Sequence, residues 1–186
     1  MTIRQDRDEE EICLIRHKTV VPLVPMTDKH MITGDYLQAI FFDSETISKV
    51  SASQLHEREV VVYDILQSNH FKVVDGVGPF NLLIKLRDSR VVLEVSVLNR
   101  PHAVSFYISW NALRRFFKNY EATCNLYHNS IKSRPPTDIE AIDMGRRAIH
   151  NEGATYIQEH LRDGIVMDFE TARALYSLFY TLHWKG

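Results

Sequence analysis

The chain has 186 residues, 45% of them hydrophobic and 25% charged, a balance that suits one soluble globular domain with a sizeable core. Its formal net charge is -2, so no global basic field points to nucleic acid and no acidic field to a cationic partner. The two cysteines, Cys13 and Cys124, form neither a metal spacing nor a disulfide framework, and a reducing cytoplasm is the simplest compartment.

Residues 1–34 read as an N-terminal extension. The acidic run Asp6, Asp8, Glu9, Glu10 and Glu11 stands where a signal peptide needs positive charge. Apolar runs at 12–15 and 20–24 are short, and Pro22 and Pro25 demote them to edge or non-strand segments. Two readings stand side by side: a poorly ordered tail, or a segment that docks on the domain or on a second copy. Met26 and Met31 offer alternative starts. No apolar run anywhere approaches the ~20 residues of a membrane span.

Residues 35–186 read as a single domain, since no repeat, linker or low-complexity tract divides them. Residues 36–43 form a first strand. Ser51 or Ser53 then caps a helix to about Ser68, with Leu55, Val62, Ile65 and Leu66 on its core face and Val60, Val61 and Tyr63 widening the buried arc. Residues 71–74 make a short strand, and 75–79 a glycine-bearing turn. No helix follows that turn, so it lacks what a phosphate loop needs.

A β-meander comes next. Leu82, Ile84 and Leu86 alternate with Leu83, Lys85 and Arg87. Val91, Leu93, Val95 and Val97 alternate with Val92, Glu94 and Ser96, and Val104, Phe106 and Ile108 form a third apolar row. Alternation of period two with short turns, at Asp88-Ser89 and Asn99-Pro101, predicts an antiparallel sheet with one face on a core.

The C-terminal half is helical. Ser109 caps a helix over 110–132 with the stripe Leu113, Phe116, Phe117, Tyr120, Cys124, Tyr127 and Ile131. Thr137 with Glu140 forms a capping box that opens a central helix to about Arg162, with Gly164 as its C-cap. Asp168 caps a last helix over 169–184, apolar almost all round except for the row Arg173, Ser177, Thr181, and therefore buried. The order of elements predicts an α+β fold: an antiparallel meander with helices packed on one face.

The central helix carries the candidate site. At about 100° per residue, Ile142, Gly145, Ile149, Gly153 and Tyr156 share one face. Two glycines on a packed face predict a close approach by another element, since each costs roughly 1 kcal/mol relative to alanine; for Gly153 a helix break after Asn151-Glu152 stands beside that reading. Arg146 falls near that apolar face, with Asp143 and His150 at its edge. A buried guanidinium must find an anion, and two sources compete. One is an internal network with Asp143, or with Glu57, Glu59 and Asp64 of the first helix. The other is a ligand: Arg146, Arg147, His150 and Asn151 would hold a phosphate or carboxylate. In an enzymatic variant His150 is the general acid/base, oriented by Asp143 or Glu152, with Arg146 stabilising an oxyanion.

Other chemistries are weaker. The histidines are scattered, so no metal set is read. No nucleophile elbow or cofactor motif occurs. Arg114, Arg115 and Lys118 interleave with Phe116, Phe117 and Tyr120, a pattern found in single-strand binders. Because those aromatics coincide with the core stripe, a solvated basic face is preferred and nucleic acid disfavoured. A homo-oligomer stays open.

Three stretches carry a resemblance. Ile139-Glu140-Ala141-Ile142-Asp143-Met144-Gly145-Arg146-Arg147, His150-Asn151-Glu152-Gly153 and Leu182-His183-Trp184-Lys185-Gly186 resemble an uncharacterised protein family of alphaproteobacteria. His56-Glu57-Arg58-Glu59-Val60 and Tyr63-Asp64-Ile65-Leu66 are similar to it too. The likeness covers about 36–186, and the family usually has arginine where this chain has Lys185. It implies a bacterial, cytoplasmic, single-domain protein and assigns no activity, cofactor or catalytic residue.

Overall fold

A computed structural model of the protein describes residues 18–20, 34–47, 52–97 and 102–183. Most of the expected extension lies outside them, as do the caps proposed at Ser51 and the side chain of Ser53. In chain order the elements are β1 (Lys18–Val20), β2 (Leu37–Asp43), a helical turn α1 (Ser44–Ile47), α2 (Ala52–Gln67), β3 (Phe71–Val73), β4 (Phe80–Arg87), β5 (Arg90–Val97), β6 (Ala103–Ser109), α3 (Trp110–Ser130), α4 (Pro136–Leu161), β7 (Ile165–Met167) and α5 (Phe169–His183). Among the described residues no helix is long and apolar enough to cross a membrane.

The alternating rows build the sheet as expected. Strands β4, β5 and β6 pair antiparallel in sequence. Asp88 and Ser89 both take positive φ, 42° and 66°, the two-residue hairpin geometry that follows the twist of the strands. The full order is β1-β2-β4-β5-β6, and β2 lies parallel to β4, with α2 in the crossover. The result is an α+β fold with a mixed sheet. Leu82, Ile84, Val91 and Leu93 are fully buried and share one core with Val62 and Ile65 of α2, Leu113 and Phe117 of α3, and Leu175, Tyr176 and Phe179 of α5. The third row holds only at its Ile108 end; Val104 is exposed. Helix α3 starts directly after β6 and covers that end of the outer strand, leaving Val104 at the uncovered one.

Several local expectations are corrected. Leu55, Val60 and Tyr63 of α2 are exposed, and the buried stripe is Gln54, Arg58, Val62, Ile65, Leu66 and Asn69. Steps of four, four and three residues keep 54, 58, 62 and 65 on one arc, whereas 60 and 63 fall outside it; Leu55 lies near its edge, in the first turn of the helix. Asn69 justifies its burial: Oδ1 accepts from the Leu37 amide at 2.6 Å, and Nδ2 donates to the carbonyls of Leu37 and Ile65. It pins the end of α2 to β2. The Thr137–Glu140 capping box does not form. Helix α4 starts at Pro136, so Thr137 already lies inside the first turn, and proline supplies the pre-set φ instead. Ile131, past the end of α3, is exposed.

Strand β3 falls where a short strand is expected, and it pairs with β7 in a two-stranded sheet that is not. Strand β7 has three residues, too short for a period to register. By contrast Asp168 caps α5 as expected, its Oδ1 accepting from the Thr171 amide at 2.8 Å. Leu175, Tyr176, Leu178 and Phe179 are all fully buried, so α5 is the centre of the helical layer.

The two glycines of α4 separate. A Cβ on Gly153 would lie 2.1 Å from a ring carbon of Tyr176 in α5, whereas one on Gly145 would meet nothing within 4 Å. Among the described residues the close approach is real at Gly153 and absent at Gly145. Gly153→Ala is therefore expected to lower stability by about 1–3 kcal/mol through overpacking. Gly145→Ala is expected to raise it by up to about 1 kcal/mol through helix propensity. Urea denaturation of the two variants checks both signs.

Candidate functional site

Arg146 leaves α4 on the side that faces α3. Its Nε and Nη2 donate to Asp143 Oδ1 at 3.0 and 2.7 Å, and its Nη1 donates to the Tyr120 hydroxyl at 3.1 Å. The guanidinium also lies 5.8 Å from the ring centre of Tyr127. Arg147 takes the second oxygen, with Nη2 2.7 Å from Asp143 Oδ2. Spacings of three and four residues on one helix make this geometry available to both arginines. The hydrogen bond from Arg146, opposed in part by desolvation, holds the Asp143 carboxyl below its usual range.

His150 sits one turn on. Its ring packs edge-on against Tyr176 and Tyr120, with centroids 4.8 and 5.4 Å away. Its Nε2 lies 3.0 Å from Ser177 Oγ, and that hydroxyl donates to the Arg173 carbonyl at 3.3 Å. The Ser177 hydroxyl thus bridges the ring of His150 and the backbone of its own helix. Nδ1 is buried and has no hydrogen-bond partner among the described residues. Burial, then the fields of Arg173 and Arg146, push the His150 pKa down to about 4. The ring is neutral at pH 7.

The structure thus brings Asp143, Arg146 and Arg147 into one group and joins His150 to it through Tyr120. Asn151 is half-buried with its Oδ1 unpartnered, and Glu152 is exposed and forms no ion pair among the described residues. Neither touches the arginine group. Both oxygens of Asp143 serve arginines and His150 bonds Ser177, so the orienting contact expected between Asp143 and His150 is replaced by these pairs. In the basic stretch of α3, Phe117 is fully buried and Phe116 packs on Tyr156 at 5.3 Å.

One residue escaped the sequence reading. Arg58 of α2 is only 3% exposed, and its Nε and Nη1 have no acceptor among the described residues. Its guanidinium lies 5.2 Å from the ring centre of Phe42. Desolvation lowers its pKa. Its signal in the sequence is the spacing: 58 falls on the arc of 54, 62 and 65, whereas the apolar Val60 and Tyr63 lie off it.

Fold and site together define a class: an α+β protein whose mixed sheet carries one helical layer, with a polar seam of arginine, histidine and tyrosine inside that layer. Residues 34–185 match the model of the Uncharacterised protein family (UPF0262), and the chain belongs to that family. A UPF0262 protein of Azorhizobium caulinodans is 42% identical over 153 residues, covering 81% of this chain and 94% of the relative. One of Xanthobacter autotrophicus is 40% identical over 152 residues, covering 81% and 93%. Another, of Mesorhizobium japonicum, is 39% identical over 161 residues, covering 84% and 100%. No solved structure matches the chain. Membership of an uncharacterised alphaproteobacterial family, expected from the sequence, is met.

Two measurements test this geometry. In an NMR titration His150 is expected to stay neutral down to about pH 4. Because the unfolded chain protonates this ring first, its contribution to stability is complete above about pH 6.5 and is lost as pH falls toward about 4. A midpoint near 6.5 with flat stability across that window would contradict the buried placement. Separately, Arg58→Met is expected to leave stability unchanged or raise it by about 1–4 kcal/mol, as when buried charge gives way to apolar volume. A large loss in urea denaturation would mean that Arg58 has a strong counter-charge.

Proposed function

We propose that the protein is a cytoplasmic binding module that recognises an anionic group through Arg147, with Arg146 behind it. The observation that carries this reading is a charge count. Among the described residues one carboxylate, Asp143, serves two guanidiniums, so one positive charge of the three groups is left in excess, and the Arg147 side chain is 68% exposed. Arg146 is held in place by Asp143 and Tyr120 and has little freedom to turn toward a ligand. It acts as the fixed half of the pair. The exposed half can rotate from Asp143 to a phosphate or carboxylate, whose two oxygens suit the fork of a guanidinium. A phosphorylated small molecule and an acidic patch on a protein partner share this chemistry. Residues 35–186 would carry it as one domain.

A second reading makes the protein a small enzyme, with His150 as the general base. It rests on a buried, neutral ring whose Nδ1 has no hydrogen-bond partner among the described residues, since a general base must start unprotonated.

Thermal unfolding of the full chain with inorganic phosphate, citrate and phosphoserine tests the first reading. At least one of these anions is expected to raise the wild-type midpoint. Arg147→Ala is expected to abolish that rise while leaving the ligand-free midpoint close to wild type. Arg146→Ala is expected to lower the ligand-free midpoint, because it strands Asp143 and Tyr120. If no anion stabilises the wild type, or if Arg147→Ala responds as the wild type does, the cluster is an internal ion-pair network and the binding reading is wrong.

A further inference from the structure

We infer that the groove between α3 and the C-terminal end of α5 is a second ligand site, distinct from the Arg146–Arg147 cluster, which takes a small aromatic anion: a planar apolar body bearing a phosphate or carboxylate.

The groove follows from helix periodicity. Trp110, Arg114, Lys118 and Glu121 recur at steps of four, four and three, so they line one face of α3 over about three turns. Tyr180, Leu182 and His183 of α5 form the facing wall, and Leu86, near the end of β4, closes the floor. The cavity has a volume of about 500 Å³, within the ~300–1,000 Å³ typical of small-molecule sites.

Charge sets the position of the ligand's head group. Arg114 and Lys118 are exposed, and neither forms an ion pair or hydrogen bond among the described residues. Like charges four apart on a helix repel by a few tenths of a kcal/mol, on the order of 0.2–0.5; Glu121, one turn beyond Lys118, forms no ion pair with it among the described residues, and Arg114 stands a further turn away. On a convex surface this would be an ordinary solvated face. In this molecule the pair borders a concave site with aromatic walls. The acidic groups lie at the other end: Glu121 lines the groove there, and Glu57 of α2 reaches Tyr180 with its field. An anion is therefore repelled from the Tyr180 end and drawn to Arg114 and Lys118.

The apolar body then has one place to go. Toward the start of α3 the walls are Trp110, Leu182 and His183 over Leu86. The Trp110 ring is fixed edge-on by Phe117 at 5.7 Å and by His183 at 5.9 Å. Such a wall needs little ordering when a flat ligand enters.

Trp110 also provides the readout. In a Trp184→Phe background the full chain has one tryptophan. Phenyl phosphate and benzoate, titrated separately, distinguish the two head groups. At least one is expected to change the Trp110 emission saturably, with inorganic phosphate at least 10-fold weaker. The double variant Arg114→Ala, Lys118→Ala is expected to lose at least 10-fold in affinity with an unchanged circular dichroism spectrum, since both residues are exposed. Arg147→Ala is expected to bind as the parent does, which separates this site from the cluster proposed above. No saturable binding of either probe overturns the inference, and so does undiminished binding by the double variant. Loss of binding in Arg147→Ala would assign the ligand to the other cluster. Binding of a single-stranded oligothymidylate with neither probe bound would make the groove a nucleic-acid surface and likewise overturn it.

Discussion

The arrangement of the helical layer depends on one contact, the approach of α4 to α5 at Gly153 and Tyr176. A hydrogen in place of a side chain at 153 lets the Tyr176 ring lie directly on the α4 backbone. Tyr176 is fully buried, and from that position it touches Phe117 at 5.2 Å and His150 at 4.8 Å. One ring thus joins α3, α4 and α5. The distance that it sets also brings His150 to within hydrogen-bond reach of Ser177 and places Arg146 opposite Tyr120. The polar seam is a consequence of this packing, because a side chain at 153 would collide with the Tyr176 ring and push α4 and α5 apart.

Two arginines in this chain solve the same problem in different ways. Arg146 is partly buried and has a carboxylate, a hydroxyl and an aromatic face around it. Its charge is compensated where it stands, and the hydrogen bond to Asp143 raises its pKa. Arg58 is more deeply buried and has only an aromatic face among the described residues, and desolvation lowers its pKa. A guanidinium tolerates this better than an ammonium would, because it is more weakly hydrated and stacks on rings. The comparison locates the better-supported polar centre of the described structure on α4 rather than α2.

What could be read from the sequence follows the strength of each local signal. The meander was legible because apolar alternation runs through Leu82, Ile84, Val91, Leu93 and Val95 without a break, and because Asp88-Ser89 can only turn. Helix α5 was legible because Asp168 caps it and nearly every side is apolar. The buried face of α2 was not, since its stripe contains Gln54, Arg58 and Asn69, and each polar residue is buried for a tertiary reason that no local pattern encodes. Gly145 and Gly153 looked equivalent on a helical projection, yet only one faces α5; the difference lies in where the neighbouring helix crosses. At the site, the Asp143–Arg146 pair was legible from its spacing of three. Tyr120 and Ser177, 26 and 27 residues from their partners, were not.

The net charge of -2 conceals how the charges are distributed. Arg114, Lys118, Arg146 and Arg147 all lie on α3 and α4, where Asp143 and Glu121 are the acids nearest to them in the site and the groove. At physiological ionic strength exposed charges act over about 8 Å, so an approaching ligand responds to this local set and not to the whole chain. A neutral total therefore does not argue against anion recognition. It argues against long-range steering, and so against affinity that rests on diffuse attraction. Recognition on such a protein would have to come from short contacts of defined geometry, the kind that the two proposed sites offer: a fixed guanidinium beside an exposed one, and a cation pair beside an aromatic wall.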